Sequence, residues 1–325
     1  MRFAFTDDQR ELRDAVRDLL DRECGPDVVR AAWPEGPAGA GARAPAGAVE
    51  SVWSRLDEMG VLAVGAPADQ GGLGLGALDW VLLAEESGYA AVPHPVVEAM
   101  CVAGALGVTG ARVATDLAGP VVPFAAGADV LLLRRSEELV LVPAAEAELS
   151  PAATVDGALA AAQVATPASG GRVVADGEDV RRAFDRGALG NAAQLVGLGQ
   201  RMLDLTVAYV RERHQFGVPI GSFQAVKHHL ADALMHLSFA RPAVHRAAWS
   251  VAHDVAERSR DTSMAKALAS AAAREVGATA LQCHGAIGYT VEYDLHLYLK
   301  RSWALAALWG DAAWHRDRVG RAIGA

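Results

Sequence analysis

Two short stretches hold the side chains best suited to chemistry. In YVRERHQFGVPIGSFQAVKHHLAD, residues 209–232, Arg213 offers a planar donor fork that can grip a phosphate and stack on an adenine. Phe216 adds a flat apolar face, and Gln224 an amide that both donates and accepts. In LQCHGAIGYTVEYDLHLYLKR, residues 281–301, Gln282, Gly285 and Ala286 stand at a helix end. There a side-chain amide and unobstructed backbone N–H groups can approach a pyrophosphate. The set suits an adenosine diphosphate. On residue types alone, Phe216 and Gln224 serve as well to close a turn between two helices.

Other arrangements carry less. His228, Asp232 and His236 recur at one helical face, but three ligands spread over two turns converge poorly on a metal and no further cluster completes them. A metal site is not expected. Gly72, Gly74 and Gly76 imitate a dinucleotide fingerprint, yet a helical pattern lies on each side of the loop where a preceding strand is required. No G-x-S-x-G elbow appears. Cys24, Cys101 and Cys283 are odd in number and widely spaced, which argues against disulfides or a zinc site and fits a reducing cytoplasm.

The elements that must position these groups are mostly helical. Apolar residues make up 52% of the 325-residue chain and aromatic residues only 6%, so the core must be built from Ala, Leu and Val in closely packed helices. A net charge of -9 and three lysines, Lys227, Lys266 and Lys300, make nucleic acid an unsuitable partner. The opening residues carry acids where a signal peptide needs basic ones. The longest uncharged apolar stretch, Ala99 to Ala111, is too short to cross a bilayer. A cytoplasmic protein without a membrane span is expected.

Along the chain, Thr6 and Gln9 form a capping box before Leu12, Val16, Leu19 and Leu20 at helical spacing. Ala31 to Gly47 is rich in Pro, Gly and Ala and reads as a connector without regular structure. Helical patterns follow at Val49–Met59, Ala77–Gly88 and Pro95–Leu106. Short apolar runs, VLLLRR, ELVLVP, AAAQVATP and GRVVAD, read as strands. The helical period then returns over Arg182–Arg211, Phe223–His253 and Thr262–Gln282. The expected architecture is mainly α. It has an N-terminal helical domain over 1–112, a shortened middle β-domain over 113–180 and a C-terminal four-helix bundle over 181–325.

Residues 209–232 and 281–301 resemble the C-terminal domain of the acyl-CoA dehydrogenase family. Its members carry R-x-Q-F-G-x-P-I-x-x-F-Q and then Q-x-H-G-G-x-G-Y-T-x-E in that order. Residues 213–224 match the first motif, and 282–292 match the second with Ala286 replacing a glycine. The N-terminal FAFTDDQRELRDAVRDLL and APADQGGLGLGALDWVLLAEESG resemble the family's first helix and its P-x-x-x-G-G-x-G loop. The resemblance implies α,β-dehydrogenation of an acyl-CoA thioester with FAD. It assigns Arg213, Phe216, Gln224, Gln282, Gly285 and Ala286 to the adenosine half of FAD, held by a neighbouring subunit.

Two departures qualify that expectation. The family's α-proton base is most often a glutamate before Gly-Thr, and LAALWGDAAWHR has Gly310 at that place. In other members the glutamate stands at the start of the long helix, where this chain has Gly187. Asp311 lies beside the first position and Asp185 near the second, so Asp311 is the substitute base to consider. The middle region also lacks the T-E-P…G-S-D and W-I-T stretches that hold the flavin ring in relatives. The chain therefore resembles the base-lacking partner in a heteromeric dehydrogenase, a heterodimer or α2β2 heterotetramer with a second acyl-CoA dehydrogenase-like subunit. The alternatives are a homomeric enzyme using Asp311, a flavin-free structural subunit and, lower, a thioester enzyme without redox chemistry such as a dehydratase.

Overall fold

The computed structural model describes residues 4–33, 45–165 and 170–324. Most of the Ala31–Gly47 connector lies outside them. Helix α1, Asp7–Glu23, starts at the expected capping box: the Thr6 hydroxyl accepts from the Gln9 N–H, and the Gln9 side chain accepts from the Thr6 N–H. Its buried stripe of Val16, Leu19 and Leu20 packs inward. The helices α2, Pro26–Ala31, α3, Ala48–Glu58, and α4, Ala77–Tyr89, complete the first helical layer. The Gln9 amide donates to Asp79 at 2.9 Å, and Asp79 in turn caps α4 by accepting from the Gly76 N–H at 2.8 Å. Both ends of that contact are thus fixed by capping residues.

The segment expected as one buried helix over Pro95–Leu106 differs in winding. Glu98–Ala103 forms a π-helical turn, and a 3-10 turn, Gly104–Leu106, follows. All six residues of the π turn are buried. It is pressed between two glycine positions. A Cβ at Gly65 would stand 3.2 Å from the Met100 carbonyl, and one at Gly190 would stand 2.8 Å from Cys101 Sγ.

The middle section is a small sheet with strand order β1-β2-β3-β6. Here β1 is Val113–Thr115, β2 Val130–Arg135, β3 Glu138–Pro143 and β6 Arg172–Asp176. The β1–β2 pair is parallel and the other two pairs antiparallel. Strands β4, Glu148–Pro151, and β5, Ala162–Ala165, form a separate ribbon. Alternation divides the sheet's side chains. Leu131, Leu133, Val140 and Val142 close a small core with Ala114, Val122 and Ala162, while Leu132 and Leu139 join the main helical core.

Helices α5, Gly177–Glu212, α6, Gln224–Ala252, and α7, Arg258–His284, pack together, with α8, Leu295–Ala307, and α9, Ala312–Ile323, against them. Their shared core is built from small and branched residues: Ala188, Ala192, Leu195, Val244, Ala265, Ala269 and Ala273 are all buried. Close approach of α4 to α5 depends on two glycines. A side chain at Gly88 would strike the Gln194 backbone, and one at Gly197 would strike the backbone at Glu85 and Tyr89. Among the described residues no helix is long and apolar enough to cross a membrane.

Candidate functional site

The residues suited to a nucleotide gather at one end of the bundle. Helix α5 ends at Arg213, and a tight hairpin pairs His214–Gln215 with Val218–Pro219 before α6 begins at Gln224. Phe216 sits at the hairpin tip with φ +54° and 93% of its surface exposed. Holding a large apolar ring in the left-handed region and in water is doubly unfavourable for an isolated chain. Helix α7 ends beside this hairpin. The Tyr209 ring stacks on His284 with centroids 4.3 Å apart, which places Gln282, Gly285 and Ala286 at the same end as Arg213. Gly285 has φ +64°, and a Cβ there would meet nothing within 4 Å, but its N–H, expected to be free, closes α7 by donating to the Leu281 carbonyl. The side chains of Arg213, Gln224 and Gln282 are exposed and make no hydrogen bond to the described residues. By contrast His228, Asp232 and His236 lie along the exposed face of α6.

The two positions where a base is expected are filled by aromatic rings. A Cβ on Gly187 would fall 2.6 Å from Cε3 of Trp309 and closer still to two other ring carbons. Trp309 is 1% exposed and packs on Phe184. At Gly310, with φ +84°, a Cβ would lie 2.7 Å from Cε3 of Trp314 and 2.9 Å from Nε2 of His315. Trp309 itself has φ +58°, a strained position for a bulky residue that surrounding contacts must hold, whereas glycine at 310 adopts the same region freely.

Those contacts are numerous. The Trp309 N–H donates to the Ala118 carbonyl at 2.7 Å, and His315 Nε2 bonds the Trp309 carbonyl at 2.8 Å, which makes Nε2 the protonated nitrogen. Burial pushes the His315 pKa down to about 4, so the ring remains neutral at neutral pH. Lys266, fully buried, donates to the Gly310 carbonyl at 3.1 Å and to the Ala306 carbonyl and Ser270 hydroxyl at 3.2 Å. Burial pulls its pKa down to about 7, against a smaller opposing pull from Asp311. Asp311 caps α9: its carboxylate accepts from the Trp314 N–H at 2.8 Å. Asp185, with no exposed surface, is bound by Arg258, Ser259 and Arg318.

One acid in this region was not signalled by the sequence. Glu98, on the π turn, is 4% exposed and receives a hydrogen bond from the Trp309 side chain. Burial raises its pKa to about 7, opposed by Arg301 and by that bond. An acid inside an apolar run, VVEAMCVA, was the only hint available. Trp309, Lys266 and His315 likewise carry no local sequence signal for their roles, because each gains its role only from chain segments remote in sequence.

Fold and site together define the class. The description "Acyl-CoA dehydrogenase, N-terminal domain" fits residues 6–116, and "Acyl-CoA dehydrogenase, C-terminal domain" fits residues 176–324. Acyl-CoA dehydrogenase IpdE2 of Mycolicibacterium smegmatis is 33% identical, the match covering 93% of this chain and 95% of that protein. The protein of the same name from Mycobacterium tuberculosis is 30% identical, with 93% of each chain covered. The chain belongs to the acyl-CoA dehydrogenase family. Among solved structures, the ChsE4-ChsE5 complex from Mycobacterium tuberculosis superposes with a TM-score of 0.84 at 24% identity, covering 100% of this chain and 99% of that one. A steroid ACAD variant, Tcur3481-Tcur3483, gives 0.84 at 24% identity and 98% coverage of each chain. These two likenesses establish the shared fold.

Proposed function

We propose that this chain is the base-lacking subunit of a heteromeric acyl-CoA dehydrogenase, gripping the adenosine end of FAD while a second family member seats the ring and supplies the base. The observation that carries this reading is the occupation of both base positions. A glutamate at 310 or 187 would have to displace Trp314, His315 or Trp309, and the loop that bears Trp309 and Gly310 is tied down by Ala118, Lys266 and His315.

The residues at the bundle end fit the nucleotide part of such a cofactor. Arg213 would pair with the pyrophosphate, and the bare Phe216 ring would cover the adenine. The Gln282 amide and the Ala286 N–H would donate to phosphate oxygens, while the Gly285 N–H is taken by the Leu281 carbonyl and only leaves room for the ligand to approach. Bound FAD supplies the acceptor for the hydride that leaves the β-carbon of an acyl thioester. Within this chain no carboxylate projects from position 187 or 310, so the α-proton passes to a base on the other subunit. Two structural neighbours, the ChsE4-ChsE5 complex and the Tcur3481-Tcur3483 steroid ACAD, bear the names of two components, which supports a partner of the same family.

The test is expression of the chain alone and together with an acyl-CoA dehydrogenase homologue encoded nearby, followed by measurement of bound FAD and of dye reduction by acyl-CoA. The expected result is flavin and turnover only in the pair, with R213A lowering the FAD content of the pair. Full flavin occupancy and turnover by the lone chain would refute the assignment. FAD content unchanged by R213A would favour a flavin-free scaffold.

A further inference from the structure

We propose that Arg186, on α5, anchors a cleft that binds a ligand carboxylate carried on a short apolar chain. The site lies about 40 Å along α5 from Arg213 by the rise of an α-helix, and it stands independently of the subunit pairing described above.

The start of α5 is densely charged. Where the start of α5 meets the α6–α7 connection and α9, five guanidinium groups, from Arg181, Arg182, Arg186, Arg258 and Arg318, gather around four carboxylates, from Glu178, Asp179, Asp185 and Asp254. Arg181 pairs with Glu178, and Arg182 with Asp179 and Asp254. Arg258 pairs with Glu178, Asp185 and Asp254, and Arg318 with Asp185. Arg186 is the surplus. Among the described residues it makes no ion pair, feeling a longer-range attraction from Asp254, which Arg182 and Arg258 already hold, and its Nη1 is enclosed without any hydrogen bond. A guanidinium with a buried, unbonded nitrogen and no ion pair of its own is unfavourable, and arginine does not shed its proton to escape the penalty.

The second observation is space. Arg186 lines a cleft of about 430 Å³ and a smaller one of about 190 Å³, and the two share Arg182 and Arg186. In the larger cleft Val102, Ala105, Leu106 and Val174 provide apolar wall and Gln70 adds an amide; Asp179 there and Asp254 in the smaller cleft are each held by Arg182. One surplus positive charge matches a carboxylate, which carries one negative charge, better than a phosphate, which carries nearly two. A carboxylate also presents two oxygens to the guanidinium fork, and methylenes attached to it would meet the apolar wall. The carboxylate has two sources, a free carboxylic acid or the far end of a dicarboxylic acyl thioester.

Titration calorimetry on the full chain separates these, using hexanoate, inorganic phosphate, hexanoyl-CoA and adipoyl-CoA as probes. Saturable binding of hexanoate, weakened tenfold or more by Arg186→Gln and partly retained by Arg186→Lys, supports a site for free acids. Arg186-dependent binding of adipoyl-CoA, with hexanoyl-CoA indifferent to the substitution, supports the thioester source. Absence of saturable carboxylate binding, carboxylate binding unaffected by Arg186→Gln, or tighter binding of phosphate overturns the proposal. Melting adds a check on folding. Without ligand, Arg186→Gln is expected to melt at or above the wild-type temperature, because an uncompensated charge has been removed. A clearly lower melting temperature would assign Arg186 a structural role and overturn the ligand site.

Discussion

Replacing Gly187 by Ala tests whether an indole fills the space a base would need. In the interior of a helix this substitution ordinarily stabilises by about 1 kcal/mol, because alanine loses less backbone freedom. Here the new methyl would lie 2.6 Å from one carbon of the Trp309 ring and nearer to two more, where overpacking costs about 1–3 kcal/mol or above. The ring has little room to retreat, since its backbone is bonded to Ala118 and His315 on opposite sides. A net loss of about 1–2 kcal/mol is expected. In a Trp309→Ala background, itself destabilised by about 3–5 kcal/mol, the obstacle is gone and Gly187→Ala should stabilise by about 1 kcal/mol. Urea unfolding of the four proteins, followed by circular dichroism, measures this cycle. A neutral or favourable Gly187→Ala in the wild-type background, or the same effect in both backgrounds, would show that the indole does not occupy that space.

Three further outcomes follow from the buried groups around the same loop. The folded-state pKa of Glu98 is raised from 4.5 to about 7, so the folded state holds the extra proton between those values and stability falls as pH rises through them. Glu98→Gln should remove that slope and be the more stable protein at pH 8, by on the order of 3 kcal/mol; parallel pH–stability curves would refute it. Lys266, lowered to about 7, acts in the opposite sense: the unfolded chain binds more protons above pH 7. Stability should therefore rise toward pH 10, by up to about 1.4 kcal/mol per pH unit, in the wild type and not in Lys266→Met. Asp311→Ala should lose about 1 kcal/mol through the uncapped α9 while Asp311→Asn keeps most of it, as melting would report. Loss of turnover in Asp311→Asn would instead make Asp311 the base of a homomer.

The helices were legible because each turns one apolar stripe inward. The Thr6–Gln9 box, the β2 and β3 runs and the three long helices from α5 to α7 all follow local pattern. The π winding of Glu98–Ala103 was not legible, since VVEAMCVA satisfies any buried helix and the choice is made by packing between Gly65 and Gly190. At the Arg213 end of the bundle the family resemblance singled out the residues proposed for the nucleotide, and the Tyr209–His284 stack explains how two remote motifs meet. Around Gly310 the family resemblance disclosed the absent glutamate and the neighbouring Asp311, and not what surrounds them. That Trp309 stands over Gly187, or that Lys266 lies beneath the loop, follows from the crossing of α5, α7 and the α8–α9 connection. Arg186 was hidden for a related reason: its lack of a partner appears only after its neighbours' charges have been matched across three helices.

The bare Phe216 ring does not stand alone. Val218 and Phe223 beside it, and Leu234, Met235 and Phe239 along α6, also face outward. A chain finished in isolation therefore presents an adhesive stripe, and its solubility in a cell becomes a matter of supply. Copies made in excess of whatever covers the stripe would cluster or be degraded, so balanced synthesis with that cover is a condition of the fold's survival.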